Sequence, residues 1–293
     1  ETESYYQSIT FTHSEELKDS CLYMDHYLHT CISWRSHYHE YLVHYAARYV
    51  NEVKRVLFIG GGDSMIVHEV LKYPSLELVV GLELDQTVVR KSFKNMGTQP
   101  HFDDERVHWW FGDATTSLLL LPTEYHGTFD LVLIDLAQEI IEMLNVTEGL
   151  DINEAAMLLV KPDGVLVRNE DWNFGTSNPF AKHTVDLYFV DVPMTCHQGL
   201  TMASNGVDFL TRNRKDHSIA TVYLKSEDEM DNRFHPWYNY RKSTNVACKE
   251  VVALAEDRRS ALGILMVIEA EDVAISIDLS SAIHVSRTVS QAV

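Results

Sequence analysis

The chain contains no apolar run approaching the roughly 18 residues of a membrane-spanning helix, so no membrane span is expected. It is poor in cations: Lys plus Arg number 24 against 43 Asp plus Glu, a formal net charge of −19. Gripping a nucleic-acid backbone requires a basic face, so nucleic acid is not expected as a partner. The acidity suits cationic ligands, although solubility alone also accounts for it. Cysteine is sparse. Cys21, Cys31, Cys196 and Cys248 are widely spaced and form no Cys-x-x-Cys, so neither a zinc knuckle nor a redox pair is suggested. No signal peptide is visible, and reduced thiols in a cytoplasmic protein are the expectation. His37, His39 and His44 cluster, but their spacing matches no standard zinc pattern, so no metal is expected. Asn145-Val146-Thr147 fits a glycosylation sequon and is read as a chance match.

What the chain does have is a series of apolar runs that each end in glycine or an acid. Val56-Leu57-Phe58-Ile59 enters Gly60-Gly61-Gly62-Asp63-Ser64, and a helical pattern follows over residues 65–72. Such a turn lets backbone approach a ligand where no Cβ would fit. Residues 76–82 end in Glu83, an acid placed to accept hydrogen bonds from both hydroxyls of a ribose. Residues 107–111 end in Gly112-Asp113-Ala114, and residues 129–134 end in Asp135. Strand alternating with helix predicts a mostly parallel sheet, and such sheets bind ligands at their carboxyl edge. No Gly-Lys-Ser/Thr follows the glycine turn, and Asp63 within it would repel a phosphate. The turn suits an uncharged or cationic nucleoside.

The chain divides into three parts without internal repeats. Residues 1–34 form an N-terminal β-hairpin region, with strands at 9–11 and 21–24 around residues 14–19. Residues 35–213 form a Rossmann-like α/β domain with helices on both faces. It opens on a helix over 35–50, with apolar positions at Tyr38, Leu42, Val43, Ala46 and Val50. A helix over 86–95 follows Glu83. Asp151 or Asn153 caps the helix before Lys161, and a strand follows at 165–168. Residues 214–293 read as a small α+β extension: a strand pattern at 220–224, an acidic loop at 226–231, an aromatic cluster at 234–240, a helix at 246–259, and strand-like runs at 262–268 and 273–279. The aromatic cluster suits a pocket lining, a dimer contact or a minor core.

The glycine turn followed by His68-Glu69-Val70 resembles the signature of the spermidine synthase family, the polyamine aminopropyltransferases. Leu82-Glu83-Leu84-Asp85 resembles that family's ribose-binding strand, and Gly112-Asp113-Ala114 its adenine-binding turn. Tyr6-Gln7-Ser8-Ile9 and Tyr38-His39-Glu40-Tyr41-Leu42-Val43-His44 resemble its hairpin strand and first helix. Lys161-Pro162-Asp163-Gly164 is similar to a turn shared with many methyltransferases. The resemblance covers roughly residues 4–213. It implies an S-adenosylmethionine-type transferase sheet, a small-molecule amine acceptor, a homodimer, and S-adenosylmethionine or its decarboxylated form as co-substrate. Carried over residue by residue, it places Gln7, His39, Gly60, Gly61, Gly62, Asp63, Glu83, Asp113 and Ala114 at the donor. Glu83 would hold the ribose, Asp113 the adenine amino group and Asp63 the donor's terminal ammonium. Tyr38 would stand on the acceptor side, and Asp135 would be the general base.

The departures lie mostly at the acceptor. The family usually has glycine where this chain has Ser64. Its catalytic loop carries two aspartates three residues apart and then proline; here the loop reads Asp135-Leu136-Ala137-Gln138-Glu139. Its acidic stretch before Tyr-His-Glu is replaced by Cys31-Ile32-Ser33-Trp34-Arg35. The lost acids would hold the ammonium groups of a diamine, so a noncanonical amine is expected; on a methyltransferase reading, Trp34 and Arg35 would meet an acidic or aromatic acceptor. Glu139, turned inward by a one-residue shift, would restore a carboxylate. A small-molecule methyltransferase and an inactive relative serving as a binding subunit are the alternative readings.

Overall fold

The computed structural model describes residues 1–171, 180–190, 192, 197–212 and 214–224, and the statements below concern these. The chain begins with an antiparallel sheet of β1 (Thr2–Glu3), β2 (Ser8–Ser14), β3 (Asp19–Met24) and β4 (Tyr27–Cys31). The expected hairpin is β2–β3, paired from Ile9↔Met24 to Ser14↔Asp19. β4 is an addition that folds back through Asp25 and His26, both at positive φ. Alternation along the strands sends Ile9 and Leu22 inward, where they pack on Met65, Val88 and Met96. The hairpin therefore packs on the start of α2 (Met65–Val70) and along α3 (Gln86–Met96), the helices that follow the first two strands of the main sheet.

Folding back also makes Cys21 and Cys31 direct cross-strand partners, and they form a disulfide. This corrects the expectation of reduced thiols for that pair. They stand 10 positions apart in sequence, a spacing without meaning until β4 is recognised. Cys196 and Cys248 lie outside the described residues.

Residues 35–47 form one helix, starting as α1 (Arg35–Glu40) and widening into a π-type stretch over Tyr41–Tyr45. Tyr41, Leu42, Val43, Tyr45, Ala46 and Ala47 are all buried, so the helix is enclosed rather than amphipathic. The main sheet contains β5 (Arg55–Gly60), β6 (Leu78–Glu83), β7 (Val107–Phe111), β8 (Phe129–Asp135), β11 (Val160–Asp171), β12 (His183–Val190) and β13 (His197–Ser204), in the order β12-β13-β11-β8-β5-β6-β7. β9 (Asn145–Thr147) and β10 (Leu150–Asp151) form a separate small hairpin. The five strands from β11 to β7 are parallel; β13 pairs antiparallel with β11 and with the edge strand β12. Helices α2 (Met65–Val70), α3 (Gln86–Met96), α4 (Ala114–Leu120), α5 (Gln138–Met143) and α6 (Ile152–Met157) cross between strands. Strands covered on both faces read as continuous apolar runs, and residues 56–59 and 131–134 are nearly inaccessible.

The caps follow the expected chemistry. Asp85 caps α3 through Thr87 N–H, Asp113 caps α4 through Thr116 N–H, and Asp151 forms a capping box with Glu154. The expected strand at 220–224 is absent. There the amides of Val222, Tyr223 and Leu224 all donate to the buried Glu40 carboxylate, at 2.7, 2.7 and 2.8 Å. Backbone donors satisfied by a side chain have no need of a strand ladder. Lys215 N–H adds a bond to Arg48 O at 2.7 Å, so this segment lies along the first helix. The acidic loop at 226–231, the aromatic cluster at 234–240, the helix at 246–259 and the strand-like runs at 262–268 and 273–279 lie outside the described residues.

Candidate functional site

The carboxyl ends of β5, β6 and β8 stand side by side, with Gly60 opposite Asp135 and Ile59 opposite Leu82. A Cβ at Gly60 would lie 2.3 Å from Asp135 O, so glycine alone lets the chain turn there. At Gly62 a Cβ would lie 3.0 Å from Glu83 Oε2. The turn is threaded between the two strand-end acids, which brings both within reach of one ligand.

Glu83 is 8% exposed, and its Oε1 accepts from Asp85 N–H at 2.8 Å. Burial pushes its carboxyl up, and the charges of Asp85, Asp63 and Asp135 push it further, to about 7. Asp63 Oδ1 accepts from Met65 N–H at 2.8 Å, while Oδ2 faces His39 Nε2 at 3.6 Å. Tyr38 donates its hydroxyl to Asp135 Oδ1 at 2.7 Å. Neighbouring residues of α1 thus address the glycine-turn acid and the β8 acid. From the hairpin, Gln7 Nε2 reaches Asp85 Oδ2 at 3.4 Å.

Asp113 lies beyond Gly112, whose N–H donates to Glu83 O at 2.9 Å. Its Oδ2 accepts from Thr116 N–H and Thr116 Oγ1, each at 2.9 Å, and from Thr115 Oγ1. Burial acts to raise its carboxyl, but these bonds outweigh it and hold the group below its usual range. Ala114 is the first residue of α4.

The acceptor-side expectations divide. Gln138 is buried at the start of α5 and donates Nε2–H to Glu142 Oε1 at 2.9 Å. Glu139 is exposed, so it is not turned inward. Arg35 is drawn elsewhere: its Nε lies 3.2 Å from Glu69 Oε1, in a buried network with His44 and Lys72. This corrects the reading of Arg35 as a cation facing the acceptor, because the buried Glu69 claims it. Trp34 is half-buried in the 3-10 turn Ile32–Trp34 before α1. The three clustered histidines diverge. His37 packs on Tyr223, His39 faces Asp63, and His44 bonds Glu69 and Tyr73. Among the described residues, the grouping with metal-type ligands is Asp19, Cys21 and Cys31, whose sulfurs are already bonded to each other.

One contributor was not singled out from the sequence. Asp85 caps α3, meets Gln7 and adds to the field on Glu83. An aspartate immediately before a helical pattern is the signal that identifies it.

This sheet order, with acids along one carboxyl edge, defines a Rossmann-like α/β fold of the methyltransferase type. Residues 35–211 match the spermine/spermidine synthase domain, and the chain belongs to that family. It is 35% identical over 144 residues to the polyamine aminopropyltransferase of Thermoanaerobacter sp. (strain X514), covering 49% of this chain and 48% of that protein. With the polyamine aminopropyltransferase of Oceanobacillus iheyensis it shares 31% identity over 215 residues, 69% of this chain and 41% of that protein. The chain thus spans about half the length of the curated relatives it matches. The spermidine synthase of Thermotoga maritima superposes with a TM-score of 0.62 at 22% identity, covering 78% of this chain and 80% of that one. A spermidine synthase in complex with the transition-state analogue AdoDATO gives a TM-score of 0.63, also at 22% identity. At that identity the likeness is one of fold.

Proposed function

We propose that this chain transfers an aminopropyl group from a decarboxylated S-adenosylmethionine-type sulfonium donor to a noncanonical amine acceptor. The observation that carries the reading is the carboxylate cluster. Burial first, and then the negative charges of Asp85, Asp63 and Asp135, raise the Glu83 carboxyl to about 7. Like charges gathered at a buried edge favour a cationic ligand, and the donor carries a sulfonium and an ammonium. In this reading Glu83 accepts the ribose hydroxyls, Asp63 pairs with the ammonium, and Gln7 steadies the nucleoside side through Asp85. Asp113 meets the adenine with its remaining oxygen.

The donor carbon next to sulfur is already activated, so the protein's task is alignment and proton removal. The amine nitrogen attacks that carbon in line with the C–S bond. A C–N bond forms, the C–S bond breaks with its electron pair going to sulfur, and the nitrogen's proton goes to Asp135. Tyr38, bonded to Asp135, fixes the orientation of the base. Asp63 also bears on the methyl-transfer alternative: the carboxylate of intact S-adenosylmethionine would meet the same negative charge, which disfavours that donor. A homodimer belongs to the proposal, but the expected cytoplasmic location does not, since the Cys21–Cys31 disulfide favours an oxidising compartment.

The test is a mass-spectrometric screen of amines against each donor. The expected result is an acceptor mass gain of one aminopropyl unit with release of the thioether nucleoside. A gain of one methyl with S-adenosylmethionine would overturn the donor assignment, and no turnover with either donor would leave a binding subunit.

A further inference from the structure

Ser64 occupies a position where its residue type carries two costs. Its φ is +66°, in the left-handed region, three residues beyond Gly61; Gly60 and Gly61 also adopt positive φ, as glycine does without penalty. It is also fully buried, and its Oγ has no hydrogen-bond partner. A buried hydroxyl left unpaired is destabilising and calls for an explanation. Its backbone is otherwise committed: Ser64 N–H donates to Gly61 O at 2.9 Å, and Ser64 O accepts from His68 N–H at 3.3 Å. Only the hydroxyl is left over.

The surroundings indicate what it serves. Ser64 follows Asp63, one of whose oxygens is taken by Met65 N–H. Next to Asp63 stands His39, 3% exposed, whose two ring nitrogens likewise have no hydrogen-bond partner. An ammonium group brings three donors, and Asp63 has one oxygen outside that cap. We propose that Ser64 is a donor-binding residue whose hydroxyl accepts a hydrogen bond from the ammonium that Asp63 neutralises. The proposal rests on the aminopropyl reading above. It explains a serine where glycine would be locally better, because the hydroxyl gains a charged partner when the donor is bound.

The experiment compares wild type, Ser64→Ala and Ser64→Gly by calorimetry. The ligands are decarboxylated S-adenosylmethionine and methylthioadenosine, which shares the nucleoside and sulfur but lacks the ammonium. Both variants are expected to lose about ten- to hundredfold in affinity for the decarboxylated donor, the scale of a hydrogen bond to a charged group. Affinity for methylthioadenosine is expected to stay within about twofold. Ser64→Gly relieves the backbone, so its Tm is expected to rise by about 2–4 °C, which shows that the lost affinity is not a folding defect. Unchanged donor affinity in both variants, or an equal loss for both ligands, overturns the proposal. Wild type that binds neither ligand overturns the parent reading as well, and that outcome is visible before any variant is compared.

Discussion

Glu83 and Glu69 are both buried carboxylates, one ending β6 and the other within α2, and their surroundings drive them in opposite directions. Around Glu69 stand His44, Lys72 and Arg35. Burial acts to raise its carboxyl, but the bonds from His44 and Lys72 outweigh that and bring it to about 2. Around Glu83 stand three more acids, and burial together with their charge lifts it to about 7. One carboxylate has its counter-charges built in, as a scaffold requires. The other is buried beside like charges, so it is stabilised by taking up a proton or by a cation supplied from elsewhere. The contrast separates a structural network from the proposed binding site more sharply than burial does, since both groups are buried.

The contrast can be broken at several points, and the largest effect is expected at the chemistry. Asp135→Asn is expected to leave donor binding nearly intact and to cut turnover by about two to four orders of magnitude, the usual contribution of a positioned base. Turnover at the wild-type rate near neutral pH would make Asp135 structural. Next comes the scaffold. Glu69→Gln removes the charged partner of the partly buried Arg35 and Lys72 and a charged acceptor of the buried His44, and chemical denaturation is expected to show a loss of about 1.5–3 kcal/mol. A loss under about 1 kcal/mol, the range of an exposed ion pair, would place Glu69 with the surface charges.

Glu83→Gln is expected to act the other way on stability. A carboxyl raised from 4.5 to about 7 in the fold contributes stability that is fully present below pH 4.5 and lost as pH rises to about 7. The wild type therefore forgoes roughly 3 kcal/mol at neutral pH that the amide does not. Denaturation midpoints of the two proteins are expected to separate as pH rises from 4.5 to 7, with the variant the more stable. Its affinity for the nucleoside product is expected to fall about ten- to hundredfold, since hydrogen bonds to a charged group are lost. A variant that is less stable at pH 7, with unchanged affinity, would remove Glu83 from the site.

Much of this was legible before any coordinates. Strands β5, β6 and β8 are buried on both faces, so they appear as unbroken apolar runs, and the acid closing β6 and β8 is the next letter. Asp151 could be read as a cap because capping is local. Long-range events were not legible. β4 alternates polar and apolar residues weakly and is reached through Asp25-His26, a positive-φ turn without glycine, so neither the strand nor the Cys21–Cys31 bond showed. Arg35 was assigned by its neighbours in sequence, but a buried acid 34 residues on decides where its charge goes. Residues 220–224 look like a strand because β-branched and aromatic residues alternate there, yet a single carboxylate from α1 takes their amides.

The smallest expected effect lies at the acceptor. Gln138 follows Asp135 by three residues, is buried, and gives its amide N–H to Glu142. A neutral side chain there offers a diamine's second ammonium no charge, and a buried cation without a partner costs several kcal/mol. Glu139 does not fill the gap, being exposed on the first turn of α5. Putrescine is therefore expected to be a poor acceptor, with kcat/KM below about 10⁴ M⁻¹s⁻¹, the lower end of ordinary enzymes. Gln138→Asp is expected to raise kcat/KM for putrescine about tenfold, which corresponds to about 1.4 kcal/mol, while leaving a monoamine of similar length unimproved. Helix geometry permits the change, because a carboxylate is favoured in the first turn of α5. Steady-state kinetics with both amines and the decarboxylated donor decide it. Wild type that already uses putrescine at about 10⁴ M⁻¹s⁻¹ or better would mean that Gln138 does not set acceptor choice. An equal gain for the monoamine would mean that the new charge acts on the attacking nitrogen and not on the far end of the acceptor.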